Sequence, residues 1–188
     1  IAIMVFIVYP TTNVVFIRAT EQHPLLMGFI KFAILATMGE LLAIRVGKQR
    51  WLKPTGIGYR AAVWGLIGIF IVYAFNIFQA GARSLLDAGL LPSVEGGIWA
   101  VVLTAFYTSM LMNLIFGPVL MLFHKIMDAL IEAGQGTWGK MRCVSLGEIV
   151  SAVDWHGYIG FVLLKTIPFF WIPAHTIVFL LPGNYRVV

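Results

Sequence analysis

Four runs of about twenty apolar residues dominate this chain, and no other feature limits its fold so narrowly. They lie roughly at Leu25–Ile44, Ala61–Gly81, Ile98–Phe123 and Tyr158–Leu181. At 1.5 Å per residue, twenty residues of helix cover the ~30 Å hydrocarbon core of a bilayer. Composition agrees: of 188 residues, 60% are hydrophobic and only 11% charged. A soluble domain carries about 25% charged residues, and so few charges cannot clothe a soluble surface. The chain therefore reads as an all-α, multi-span transmembrane helical bundle, one domain over residues 1–188, with the lipid bilayer as its surroundings.

A fifth run, Ile1–Ile17, is long enough to span but carries Pro10-Thr11-Thr12-Asn13 in its middle. A kinked span and a re-entrant segment both fit it. It has neither the basic start nor the small-residue cleavage site of a signal peptide. The chain begins at Ile1 rather than methionine, so the natural N-terminus is expected upstream. Collagenous and disordered classes are excluded by composition, and a disulfide framework by Cys143 being the sole cysteine.

The net charge of +5 does not point to nucleic acid, because the basic residues cluster between spans. Arg45, Lys48, Arg50, Lys53 and Arg60, with Lys125, Lys140 and Arg142, put eight on one side. Arg18, Arg83 and Arg186 put three on the other. The positive-inside rule then assigns segments 45–60 and 124–157 to the cytoplasmic side and 83–96 to the opposite one. Between the third and fourth spans, Ser145-Leu146-Gly147-Glu148 has the capping-box spacing. Leu146, Ile149, Val150 and Val153 follow as an apolar stripe. This predicts a short interfacial helix ending at Trp155.

Few motifs suggest chemistry. Gly134-Gln135-Gly136-Thr137-Trp138-Gly139-Lys140 has the glycine and lysine spacing of a phosphate loop. Met141 stands where Ser or Thr should hold magnesium, and no buried strand precedes it. A flexible glycine loop is the simpler reading. There is no metal-binding HExxH helix, nucleophile elbow or cysteine pair. His23, His124, His156 and His175 are scattered. No enzyme, cofactor or metal is expected.

Ionisable residues within the spans say more, since a charge at the bilayer centre costs at least ~2.5–3.5 kcal/mol and faces protein or water. Glu40, Arg60, His124, Lys125, Asp128 and Lys165 fall in the inner half. Lys31, Asn76, Gln79 and His175 fall in the outer half, with Lys31 close enough to a span end to snorkel. The inner group reads either as a polar pathway or as ion pairs that fix packing. Glu40 needs a cationic partner. Depth along the helices puts Lys165 first, then Lys125 or Arg60. His124 and Asp128, four apart, share one helical face.

Prolines mark expected breaks. Ile98 to Ile131 spans 34 residues, or roughly 51 Å of helix, too long for one straight crossing. A bend is expected at Gly117-Pro118, where the proline frees the carbonyl of Leu114. Pro168 and Pro173 would free those of Leu164 and Phe169. Broken helices beside buried ions recur in transporters and channels.

The third and fourth spans also carry two motifs. Gly117-Pro118-Val119 leads to Phe123, His124, Lys125 and Met127-Asp128. Trp171-Ile172-Pro173-Ala174-His175 leads to Val178-Phe179, Pro182 and Tyr185-Arg186-Val187. These segments resemble the Mpv-seventeen family of peroxisomal and mitochondrial membrane proteins and its bacterial relatives. Departures are Met121 for the family's histidine and Phe123-His124 for its Trp-Tyr pair. His175 and Val178 replace its Gln and Asn, and the Phe179-to-Pro182 gap is one residue shorter.

The texture, including Lys31, Glu40 and Lys165 within spans, is closer to the bacterial members. The resemblance implies a multi-span helical fold and a channel for small solutes. It implies a bacterial inner membrane, with a mitochondrial inner or peroxisomal membrane as the alternative, and a further helix beyond the present C-terminus. The expected function is a small-solute or ion pathway. The competing expectation is a non-catalytic accessory subunit, with a homo-oligomer or larger membrane complex as the partner.

Overall fold

A computed structural model describes residues 10–183. Seven helices follow one another: α1 (Pro10–Gln22), α2 (Pro24–Lys48), α3 (Ile57–Asp87), α4 (Gly97–Ala133), α5 (Trp138–Met141), α6 (Leu146–Ala152) and α7 (Trp155–Leu180). No strand occurs among the described residues. Helices α2, α3, α4 and α7 are long and apolar enough to cross a membrane, and they enclose the four expected runs to within a residue. Of the N-terminal run, the part from Pro10 forms α1. The remainder lies outside the described residues.

Local chemistry sets the ends. Pro24 opens α2 in its first turn, where its missing N–H costs nothing and its fixed φ suits the helix. Gln49 closes α2 in the left-handed region at φ 56°. Ser145 and Glu148 form the expected capping box, each side chain bonded to the other's backbone N–H. These bonds to Ser145 hold the Glu148 carboxyl below its ordinary pKa. Helix α6 stops at Ala152 rather than Trp155, because Asp154 starts the next helix by accepting from the Gly157 N–H.

The packing order is α2 on α3, α3 on α4, and α4 on α7. Alanine and aromatic side chains, including Ala74, Phe75, Ala105 and Phe179, fill one core cluster. Val63, Ile67, Ile131 and Met141 form a second at the other end. Large apolar groups also point outward, as at Leu164, Phe169 and Ile77, the last 65% exposed. Lipid is the environment that accepts such a surface.

Helices α2 and α3 cross at small residues. A Cβ on Gly28 would stand 3.1 Å from the Gly68 carbonyl oxygen, and one on Gly65 would strike the Phe29 ring. Lipid supplies no hydrophobic drive between helices, so close backbone approach and dispersion must hold this crossing.

Two stretches widen to π geometry: Met112–Phe116 within α4 and Tyr158–Trp171 within α7. At Gly117-Pro118 the chain does not leave the helix. The Gly117 N–H bonds five residues back to Met112, and α-helix resumes through Pro118. The irregularity thus lies one turn before the expected bend. Pro168 likewise sits inside the π segment of α7, and Pro173 in the first turn of the α-helix after it. Two hydroxyls reach between helices: Tyr158 donates to the Pro118 carbonyl at 2.8 Å and Ser109 to the Ile172 carbonyl at 2.7 Å.

The glycine segment after α4 is a packed turn rather than a flexible loop. Gly136, at φ 64°, lies against Gly56, at φ 63°, leaving no room for a Cβ on either. This contact brings the 49–56 and 134–137 connections to one end of the bundle.

Substituting Gly68→Ala is expected to cost about 1–3 kcal/mol by forcing α2 and α3 apart. Gly39→Ala, on the same pair of helices but facing open space, should cost nothing. Thermal unfolding of the two variants in one detergent checks the difference.

Candidate functional site

Arg60, in the first turn of α3, is the centre of the polar cluster, and its side chain is 10% exposed. A guanidinium offers five N–H donors in a rigid fork, and four have named acceptors here. Nη1 donates to Glu40 Oε1 at 2.9 Å and to Asp128 Oδ1 at 2.8 Å. Nη2 donates to Glu132 Oε2 at 3.1 Å, and Nε to the Thr55 carbonyl at 2.9 Å. One side chain therefore ties α2, α3 and α4 to the connection before α3.

The carboxylates are held in turn. Trp64 Nε1 donates to Glu40 Oε2 at 3.3 Å, and the Thr55 hydroxyl donates to Glu132 Oε1 at 3.2 Å. His124 Nδ1 stands 3.6 Å from Asp128 Oδ2, and its ring lies against Trp64 with centroids 4.2 Å apart. Three carboxylates face one guanidinium.

Glu40 has the cationic partner expected of it, but the expected order of candidates, with Lys165 first, needs correcting. Its partner is Arg60, and Lys165 is exposed on α7 with no salt bridge to a described residue. Lys125 is half-buried and does not join the ion pairs. Depth along a helix axis fixes height but not azimuth, and α7 packs on α4 rather than beside Glu40. His124 and Asp128 do share a face. Glu132, Thr55 and Trp64 were missed. Glu132 follows Asp128 by four residues, a signal of the same kind.

A second polar layer lies on α4 and α7. Asn113, 4% exposed, donates from Nδ2 to the Ser109 carbonyl at 2.8 Å. Its amide and His175 Nδ1 are 3.0–3.2 Å apart. His175 stacks on Trp171 at 5.2 Å and meets the edge of Phe75 at 5.8 Å. Phe75 in turn packs on the buried Phe179 at 4.8 Å. The motif residues Trp171, His175 and Phe179 thus gather around one aromatic cluster. Pro182 is exposed past α7, and Arg186 lies outside the described residues. Asn113 was overlooked, although an amide in an apolar helix is itself a sign of buried hydrogen bonding.

Between the two layers is a cavity of about 460 Å³. Helices α2, α3, α4 and α7 all line it, α2 facing α7 across the gap. Its polar lining is Lys31, Trp64, Asn113, His124, Trp171 and His175, and the rest is apolar. Lys31 does not snorkel. It is 6% exposed, with Nζ 4.3 Å from the centroid of the Phe16 ring. Helix α1 covers the route to the interface that a snorkelling side chain would take.

Among the described residues, no group of three His, Cys, Asp or Glu side chains is placed to hold a metal ion. The arrangement can bind and orient a small molecule, and it presents polar groups above and below an apolar chamber. No family model, curated protein or solved structure matches this chain.

Removing the guanidinium in Arg60→Met should cost about 3–5 kcal/mol, because it strands partly buried carboxylates. Double-mutant cycles should rank the pairs by burial. Coupling of Arg60 to Glu40 should exceed that to Glu132, whose side chain is 63% exposed and worth about 0–1 kcal/mol. Equilibrium unfolding in detergent measures both.

Proposed function

We propose that this protein forms a small-solute pathway through its helical bundle, channel-like in character, with no catalytic step. The observation that carries the proposal is the four-walled chamber with polar groups at both of its ends. Ligand sites between the helices of a bundle commonly take this form: mostly apolar walls, a few placed polar groups and a volume of several hundred Å³. Proline-bearing and π-widened helices beside the chamber support it, because such irregular backbone is tolerated at membrane depth where it lines a cavity. The resemblance to the Mpv-seventeen family favours the same reading, with a bacterial inner membrane as its setting.

In this scheme the Arg60 cluster lies at the cytoplasmic end, where the basic residues of segment 45–60 stand. Its ion pairs join three of the spanning helices, so passage requires them to rearrange or to be bypassed. The competing reading is an accessory subunit of a larger membrane assembly. The dense pairing of Arg60 favours it, since a cluster that only fixes packing looks the same at rest.

Flux through proteoliposomes separates the two. Purified protein should release trapped ions or small metabolites faster than protein-free vesicles do. Leu120→Trp, which fills the chamber from α4, should abolish most of that release while leaving the bundle folded. Release equal to protein-free vesicles for every solute tested would leave the accessory reading in place. Orientation has its own check, in a Cys143→Ser background with single cysteines at Lys48, Leu90 and Lys140. The first and third should react from one side of the membrane and the second from the other.

A further inference from the structure

Lys165 carries its charge on the outer surface of the bundle. Its helix, α7, is long and apolar enough to span, and Lys165 is exposed on it, with no salt bridge to a described residue. Segments 1–9 and 184–188, outside the described range, contain neither Asp nor Glu.

Neighbouring contacts give its depth. Two residues on, Ile167 is buried, and its Cδ1 stands 3.5 Å from where a Cβ on Gly117 would be. Gly117 lines the chamber. From there α4 runs eleven residues to Asp128 in the Arg60 cluster, roughly 16 Å. In the other direction α7 continues fifteen residues from Lys165 to Leu180, about 20 Å. Lys165 therefore lies near mid-depth. Its four-carbon stem covers about one helical turn, ~5.4 Å, which does not bring the ammonium to either headgroup layer.

An ammonium at that depth is costly unless it meets protein or water, and charges within spans commonly pair with one another. The surface around it is apolar. Phe161, Lys165, Phe169 and Pro173 recur every four residues and all are exposed, with Leu164 and Phe170 alongside. Lipid accepts those rings but not the ammonium, so the charge identifies the occupant.

A second copy of this chain does not supply the missing carboxylate. Glu40, Asp128 and Glu132 are held by Arg60 at one end of the bundle. Glu21 stands in the last turn of α1, Asp87 ends α3, and Glu95 lies in the connection that follows. Glu148 and Asp154 cap short helices. These eight are all the acidic residues of the chain.

We infer that this face of α7 docks a transmembrane helix of a different protein, one bearing a carboxylate at mid-depth, with Lys165 as its counter-charge. The inference goes beyond the proposed pathway and does not depend on it.

Energy transfer in phosphatidylcholine vesicles tests it. The donor is attached to Cys143, the sole cysteine and an exposed one. The acceptor is carried by a polyleucine transmembrane peptide, at low density, with a single central Glu, Gln or Leu. The Glu peptide should bind at least about tenfold tighter than the Gln peptide, the ratio reached when about half the cost of a central charge is recovered. Lys165→Met should abolish that difference and Lys165→Arg should keep it. Donor- and acceptor-labelled copies of the protein itself should show no association that depends on Lys165.

Equal binding of the Glu and Gln peptides to the native protein would overturn the inference without recourse to any variant. That is the outcome if headgroup phosphates already neutralise the ammonium. A folded Lys165→Met protein that keeps the preference would overturn it too, as would self-association of native copies that Lys165→Met abolishes. The readout involves no flux, so the pathway stands or falls separately.

Discussion

A buried guanidinium in an apolar bundle must be neutralised by neighbours, and that requirement organises one end of this molecule. Arg60 sits at the start of α3 and draws Glu40 from α2 and Asp128 and Glu132 from α4. It also pins the backbone of Thr55. Hydrophobic association offers little drive between helices in lipid, so a polar hub with directional bonds fixes relative height and rotation where apolar faces alone would slide. The Gly56–Gly136 contact and the Gly28–Gly68 crossing then become possible, because both need the helices in one register.

The far side of the chamber is held by a different device. Ser109 and Asn113 on α4 and Trp171 and His175 on α7 meet through hydrogen bonds and stacked rings rather than ion pairs. Neutral polar contacts avoid the penalty of burying charge. Each gives at most a modest net stabilisation of ~0.5–1.5 kcal/mol. The chamber lies between a strong ionic fastening and a weaker neutral one.

What the sequence made legible follows from what is local. Span lengths came from hydropathy because the bilayer imposes a length on each helix. The cap at Ser145 and Glu148 needs only a four-residue pattern, and His124 with Asp128 only a helical repeat. Partner choice across helices was not local. Depth counting put Lys165 ahead of Lys125 and Arg60 for Glu40, and only the order of helices around the bundle selects Arg60. Lys31 shows the same limit: its distance from a span end suggested snorkelling, but α1 packs on α2 and closes that route.

The π turn in α4 explains how one helix can serve both ends of the chamber. From Ser109 to Glu132 is 23 residues, over which a straight α-helix accumulates a net rotation of ~140°. The polar groups of such a helix could not all face the same neighbours. A π turn absorbs roughly one residue, taking back ~100° and leaving a drift of ~40°. Met112–Phe116 supplies that turn. From Asn113 within it onward, Gly117, Leu120, Met121 and His124 recur at helical spacing along the chamber wall, and Asp128 and Glu132 continue the line to Arg60. Gly117-Pro118 contributes by being compatible with the widened turn, since a proline N has no α-helical bond to lose. The irregularity that a hydropathy profile cannot register is thus what aligns the hydrogen-bonded layer, the chamber and the ionic cluster on a single face.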